Sequence, residues 1–165
     1  MTKKPTKMRA RQLVAGAPKA VAGATATPRT LYLVRRAQFT TYLRLEERLK
    51  PFGLTAAQYT VMSMLGHSGR LSSAQLSRRF EVTPQTMFKL LAPLRRKGLI
   101  ARRGANSDRR ALEVSLTPPG RRLLAACDAA VDALEAELFR GFTGRELRTL
   151  RALLGRFLAE NRRAG

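Results

Sequence analysis

Three closely spaced helix-start signals constrain the fold of this chain most strongly. In two of them, a hydroxyl side chain covers the third helical amide while a glutamine reaches back to the cap. In the third, a threonine cap precedes a proline at the first helical position, where a missing N–H costs little. The signals are Thr55-Ala-Ala-Gln58, Ser72-Ser-Ala-Gln75 and Thr83-Pro84. They predict short helices near 55–66, 72–80 and 83–97.

A hairpin pattern follows the third helix. Gly98 suits the left-handed position after a helix end, and residues 99–103 then form a candidate strand. Residues 104–108 are turn formers, and Leu112, Val114 and Leu116 alternate as a return strand requires. Two short helices followed by a hairpin indicate a winged helix-turn-helix.

Longer helical patterns flank this unit. Apolar residues from Leu31 to Leu49 keep roughly to one face before Pro51 and Gly53 stop the pattern. A threonine cap with proline at Thr117-Pro118 and a capping box at Thr143-Gly-Arg-Glu146 start two more helices. Their apolar stripes are Leu124, Cys127, Val131, Leu134 and Leu138, then Leu147, Leu150, Leu154, Phe157 and Leu158. We expect both stripes to be buried in a mainly α fold of about six helices with a small β-hairpin wing.

The charge of the chain favours a polyanionic partner. The 165 residues include 32 Lys or Arg against 11 Asp or Glu, a formal net charge of +21. Residues 68–111 hold eleven Lys or Arg and only two acids, Glu81 and Asp108, so the predicted wing and helix-turn-helix are basic. Residues 1–30 carry seven Lys or Arg and no acid, which predicts a disordered basic arm. That arm is either a DNA contact or a dispensable tail.

Other functional classes find little support in the sequence. One cysteine, Cys127, and one histidine, His67, make neither an internal disulfide nor a zinc site of four nitrogen and sulfur ligands. We find no nucleotide-binding loop, metalloprotease motif or nucleophile elbow, so the sequence predicts no catalytic residue, cofactor or metal. No run of 18 apolar residues occurs, which argues against a membrane span. Cys127 falls on an apolar stripe and is interpreted as a packing residue rather than a redox switch.

The helix near 83–97 is the predicted DNA-reading element. Its first turns carry the candidate contacts Thr83, Pro84, Gln85, Thr86 and Lys89. A glutamine can read an adenine edge, and a lysine can reach a guanine or a phosphate, whereas Thr83 also caps the helix. The opposite face carries Met87, Leu90, Leu91 and Leu94, which we expect in the core. Pro93 predicts a kink or an early end of this helix.

Residues 31–160 resemble the multiple antibiotic resistance regulator (MarR) family of bacterial transcription factors. The motifs that carry the resemblance are Gly53-Leu-Thr-x-x-Gln58, Leu94-Arg-Arg-Lys-Gly98-Leu-Ile100, and Asp108-x-Arg110 with Val114-x-Leu116-Thr117-x-x-Gly120. The resemblance implies a homodimer on palindromic double-stranded DNA. It divides the chain into an arm (1–30), a first dimerisation helix (31–54), a winged helix-turn-helix (55–117) and C-terminal dimerisation helices (118–165).

The resemblance also assigns roles in the wing. Arg110 becomes an arginine for the minor groove, where a narrow groove concentrates negative potential, and Asp108 becomes the acid that orients it. The wing set is completed by Arg102, Arg103, Ser107 and Arg109. The alternative for Asp108 and Arg110 is a purely structural salt bridge at the hairpin.

The predicted function is therefore a cytoplasmic, nucleoid-associated bacterial regulator of transcription, a repressor that binds its operator sequence-specifically as a homodimer. Many relatives release DNA when a small phenolic or other aromatic compound binds. Tyr42, Tyr59 and Met62 are the candidate pocket residues, although no motif marks them and packing in the core is the favoured explanation. The alternative function is a sequence-independent, nucleoid-type DNA- or RNA-binding protein, which the charge and the arm would also suit.

Overall fold

The helices and strands follow the predicted order, with one addition. The computed structural model of the protein describes residues 27–105 and 108–161, and residues 103–105 and 108–112 by their backbone alone. In this part of the chain the helices are α1 Thr30–Leu49, α2 Ala56–Ser68, α3 Ser73–Arg79, α4 Pro84–Arg96, α5 Pro118–Leu138 and α6 Gly144–Glu160. The strands are β1 Arg70–Ser72, β2 Ile100–Ala105 and β3 Asp108–Leu116. The mainly α fold with a small wing is confirmed.

The chain divides into two units, residues 1–35 and 36–165, and the boundary falls inside α1. The packing below concerns the second unit. Of the predicted basic arm, residues 1–26 lie outside the described residues, and Thr30 already belongs to α1.

Side-chain caps start the helices where the sequence predicted them. Thr55 Oγ1 accepts from Gln58 N at 3.2 Å, and Gln58 Oε1 accepts from Thr55 N at 3.1 Å. The same reciprocal pair forms at Ser72 and Gln75, and at Thr143 and Glu146. Each capping box therefore satisfies two helix-terminal donors that would otherwise lack partners.

The sheet contains a strand that the sequence analysis missed. β1 pairs antiparallel with β3, which also pairs with β2, in the order β1-β3-β2. Leu71 and Arg102 flank Val114 in register, and Leu71 and Val114 are buried. A strand of three residues is too short to show alternation, and Ser72 already carried a helix-cap signal, so the hairpin pattern alone was visible.

One core joins five of the helices to the sheet. Its fully buried side chains come from α1 to α5 and from β3: Leu49, Val61, Met62, Leu65, Leu76, Met87, Leu94, Val114 and Cys127. In α5 the predicted stripe is confirmed, with Leu124, Cys127 and Leu134 buried. In α6, Leu147 and Leu150 are half-buried and Leu154, Phe157 and Leu158 are exposed, so the predicted burial of this stripe is not reached within one chain.

Helix α4 continues past Pro93, so the expected early end was wrong. The helix runs to Arg96, and Lys97 N donates to Pro93 O at 3.0 Å. Met87, Leu91 and Leu94 are buried as predicted, and Leu90 is half-buried against the core. Burial of this face on both sides of Pro93 offsets the one hydrogen bond that proline removes.

Thr117 fixes how α5 leaves the sheet. Thr117 N donates to Leu99 O at 3.0 Å, and its hydroxyl donates to Gly98 O at 2.6 Å. The same hydroxyl oxygen accepts from Gly120 N at 3.1 Å, which caps α5. Gly120 lies so close to Leu99 that an added Cβ would meet the Leu99 carbonyl oxygen at 1.9 Å. Hydrogen bonds and close backbone packing therefore fix the start of α5 against the residues just before β2.

This close approach predicts that Gly120→Ala destabilises the protein. A methyl group cannot fit against backbone, so the helix start must shift, at a cost of about 1–3 kcal/mol in unfolding free energy. Gly155→Ala is the matched control, because Gly155 lies in helix α6 and a Cβ added there would have no neighbour within 4 Å. The control should gain about 0.5–1 kcal/mol from helix propensity. Equal unfolding free energies for the two variants in urea titrations would contradict this packing.

The cap at Thr83 predicts a second effect on stability. Thr83 Oγ1 accepts from Thr86 N at 3.2 Å. Thr83→Ala should lower the unfolding free energy by about 1 kcal/mol, whereas Thr83→Ser should retain it, because serine caps as well as threonine. Thermal denaturation of both variants measures the difference. If alanine and serine behave alike, the hydroxyl does not stabilise α4.

Candidate nucleic-acid interface

Helices α3 and α4 are joined by a tight turn of residues 80–83. Glu81 takes a left-handed conformation with φ 54°, and Val82 N donates to Ser77 O at 3.0 Å. Leu76 from α3 and Met87 from α4 are both fully buried, which packs one helix on the other. The predicted helix-turn-helix is confirmed, and its second helix presents its polar residues to solvent.

The first two turns of α4 carry the exposed candidate contacts. Pro84, Gln85 and Lys89 are exposed. Thr83 and Thr86 are exposed as well, but their hydroxyls lie 2.9 Å apart in a hydrogen bond at the cap. Gln85 and Lys89 are thus the side chains best placed to reach a base edge, since residues at the start of a recognition helix enter the major groove.

Cations surround this helix. Arg78, Arg79, Arg95 and Arg96 are exposed on α3 and α4, and Glu81 is the only acid among the described side chains from 73 to 102. Arg79 Nη1 donates to Ser68 Oγ at 2.7 Å. Arg102 on β2 is half-buried and donates to Ser73 Oγ at 3.3 Å. The resulting field attracts a polyanion to the surface that α4 presents.

In the outer part of the wing, residues 103–105 and 108–112, the structure describes the backbone alone. β2 and β3 form the predicted hairpin, with an irregular register between Gly104 and Ala105, and Ala105 pairs with Asp108. Ser107 lies outside the described residues, as do the side chains of Arg103, Asp108, Arg109 and Arg110. The proposed pairing of Asp108 with Arg110 stays a prediction.

The three candidate ligand residues occupy different environments. Met62 is fully buried in the core, whereas Tyr42 is 44% exposed. The Tyr59 hydroxyl donates to Asp128 Oδ1 at 2.8 Å, which ties α2 to α5. Burial, and then this hydrogen bond, raise the pKa of Tyr59, so it stays a donor at neutral pH. Both Met62 and Tyr59 therefore have structural roles, and a ligand role for the three residues stays a prediction.

Cys127 has the environment expected of a packing residue. It is fully buried, and burial raises the pKa of its thiol, which suppresses the reactive thiolate. Among the described residues, no group of three or more His, Cys, Asp or Glu side chains is arranged to hold a metal ion.

Two helices present apolar side chains to solvent. On α1 these are Phe39, Tyr42 and Leu43, and on α6 Leu153, Leu154, Phe157 and Leu158, each more than two-fifths exposed. Both helices are tied to α5 by ion pairs: Glu137 binds Arg44 and also Arg48, the latter at 2.8 Å, and Glu135 binds Arg151. No helix in the described ranges has the length and apolar character needed to cross a membrane.

Sequence reasoning also missed Phe88. It lies on α4 between the buried Met87 and the exposed Lys89, and its side chain is 55% exposed. The helical period could have predicted this exposure, because Phe88 falls outside the buried stripe of Met87, Leu91 and Leu94.

Known proteins share this architecture. Residues 52–111 match the model of the MarR family. The HTH-type transcriptional repressor Rv2887 of Mycobacterium tuberculosis is 37% identical over 106 residues, which cover 64% of this chain and 76% of the repressor. The crystal structure of a MarR mutant from E. coli complexed with operator DNA is similar with a TM-score of 0.70 and 27% identity. That match covers 77% of this chain and 91% of the other.

A third match concerns Rv2887 in complex with salicylic acid, with a TM-score of 0.66 and 31% identity over 81% of this chain and 99% of that one. The repressor and the two structures each match a larger share of this chain than the family model does. The chain therefore belongs to the MarR family.

Proposed function

We propose that this protein is a transcriptional repressor that binds a palindromic DNA operator as a homodimer. The observation that carries the proposal is the exposed polar start of α4, Gln85 and Lys89, on a packed helix-turn-helix surrounded by cations. The family supports it, since the relatives described above include a repressor and a protein complexed with operator DNA.

In this proposal α4 enters the major groove by its N-terminal end. Gln85 reads an adenine through its amide, and Lys89 contacts a guanine or a phosphate. Thr83, Pro84 and Thr86 shape the start of the helix. The exposed arginines of α3 and α4 supply phosphate contacts that position the helix but carry no sequence information.

The wing supplies the second set of contacts. Arg110 enters the minor groove beside the half-site, and Asp108 orients it. Arg102, Arg103, Ser107 and Arg109 contribute contacts along the backbone. The strand pairing supports this assignment, because β2 and β3 stay paired as far as Ala105 and Asp108, whereas β1 pairs with β3 only at residues 113–115.

A second copy of the chain is the proposed occupant of the apolar side chains of α1 and α6. Soluble monomers rarely leave large apolar patches uncovered, and α6 alone exposes Leu153, Leu154, Phe157 and Leu158. The ion pairs of Glu137 and Glu135 link both helices to α5, but their side chains are partly exposed and the pairs contribute little stability, so burial of the apolar side chains would supply most of the dimer's stability. A dimer would also give the two recognition helices the symmetry that a palindrome requires.

A small aromatic compound is the proposed effector. The relative in complex with salicylic acid supports the chemical class. Tyr42, Tyr59 and Met62 remain the candidate contacts. Because Tyr59 donates to Asp128, a ligand that displaces this hydrogen bond would loosen the link between α2 and α5 and so shift the DNA-reading unit.

Competition between DNA sequences tests the function. A footprint on the DNA that flanks the gene supplies the operator, and unrelated duplex of equal length competes for the protein at physiological salt. We expect the operator to bind at least ~10³-fold more tightly. A ratio near one would instead support the sequence-independent, nucleoid-type alternative that the +21 charge also suits.

The apolar surface of α6 predicts the oligomeric state. Leu154→Glu should raise the dimer dissociation constant by at least about 100-fold, because a carboxylate would be buried without a partner. Ala152→Glu is the matched control, since it lies about 200° around the helix from Leu154 and should leave the dimer intact. Sedimentation equilibrium measures both. Unchanged dimerisation of the Leu154 variant would contradict the assignment.

A further inference from the structure

Phe88 is exposed, unlike the other large apolar side chains described in the DNA-reading unit. Among the described side chains from residue 50 to residue 138, it is the only large apolar one that is exposed. The other exposed apolar side chains belong to α1, to α6 and to the turn before α6. Phe88 instead lies on the fifth residue of α4, within the turns that carry Gln85 and Lys89. Phe88 therefore lies on the surface proposed to face DNA rather than on the surface proposed to meet a second subunit.

The surroundings of Phe88 narrow the chemistry of that partner. Phe88 lines a hollow of about 10 Å³ with Leu91, Ala92, Arg95, Ile100 and Arg102. This volume holds about one water molecule, so no aromatic effector fits there. Two of the lining residues are arginines and none is acidic, so the hollow would attract a polyanion. Because the other lining side chains are apolar and the hollow is small, the part of the polyanion that contacts it should be a small apolar group.

Duplex DNA carries such a group in the major groove. The 5-methyl of thymine is the apolar group that base pairs present there, and apolar side chains read it by contact. Phe88 is three residues beyond Gln85 and therefore adjacent to it on the helix surface. A base pair next to the one that Gln85 reads would then lie against the ring of Phe88.

We propose that Phe88 is a specificity residue that contacts the 5-methyl group of a thymine in each operator half-site, beside the base pair read by Gln85. The inference rests on the proposed function, because it requires α4 in the major groove. In this arrangement Arg95 and Arg102 flank the methyl contact and hold the neighbouring phosphates, and Phe88 discriminates thymine from cytosine by apolar contact alone.

Methyl deletion in the DNA tests this contact. Each operator thymine is replaced in turn by deoxyuridine, in both half-sites together, and dissociation constants are measured by fluorescence anisotropy with wild-type protein and Phe88→Ala. At one symmetric pair of thymines, we expect deoxyuridine to weaken wild-type binding by about fourfold per methyl group, about 15-fold for the pair. Phe88→Ala should weaken binding to the thymine operator at least as much and lose its sensitivity to that replacement.

Two further variants keep the result specific. Arg95→Ala is the matched control from the same hollow, and it should weaken binding to the thymine and deoxyuridine duplexes by the same factor. Phe88→Leu keeps an apolar side chain and should retain part of the methyl sensitivity. Phe88 is exposed, so its variants should melt at the wild-type temperature.

The possible failures are distinguishable. Equal sensitivity to deoxyuridine in wild-type protein and Phe88→Ala would overturn the methyl contact, and a persisting operator preference would leave the proposed function intact. If the wild-type protein does not prefer the operator over unrelated DNA, both the proposed function and this inference are overturned.

Discussion

The junction at Thr117 is the constraint on which the rest of the fold depends. One residue donates from its backbone to Leu99, donates from its hydroxyl to Gly98, and accepts from Gly120 at the start of α5. The absence of a side chain at Gly120 lets α5 start directly against the backbone of Leu99. The wing and the long helix α5 are therefore positioned by the same few atoms, and α5 buries Cys127 and Leu134 along its length.

This junction makes the helix-turn-helix part of a larger packed body. Lys97 at the end of α4 donates to Gly53 O at 2.6 Å, and Tyr59 on α2 donates to Asp128 on α5. Both bonds join elements that are distant in sequence, and they link α5 to α2 and the end of α4 to the segment before α2. In a repressor, an effector would act through such links only where they differ between two states.

The surfaces that this body leaves exposed differ in chemistry. The surface of α4 is polar and cationic, with Phe88 as its single exposed large apolar side chain among those described, whereas α6 presents a row of leucines and a phenylalanine. The surface of α4 suits a hydrated polyanion, whereas the surface of α6 suits another apolar surface. The polar surface of α4 and the apolar surface of α6 thus have no residue in common.

Local signals sufficed for much of this structure. The capping boxes at Thr55, Ser72 and Thr143 predicted helix starts within a residue, and the alternation of Val114 and Leu116 predicted β3, because caps and pleats depend on neighbours in the chain. The exposed candidates Gln85 and Lys89 followed from the helical period. Strand β1, the continuation of α4 past Pro93 and the exposure of α6 did not follow. Strand β1 depends on its pairing with β3, and the continuation of α4 depends on the burial of Leu91 and Leu94. The apolar side chains of α6 are exposed because no other part of the described chain covers them. Only the tertiary structure decides these three features.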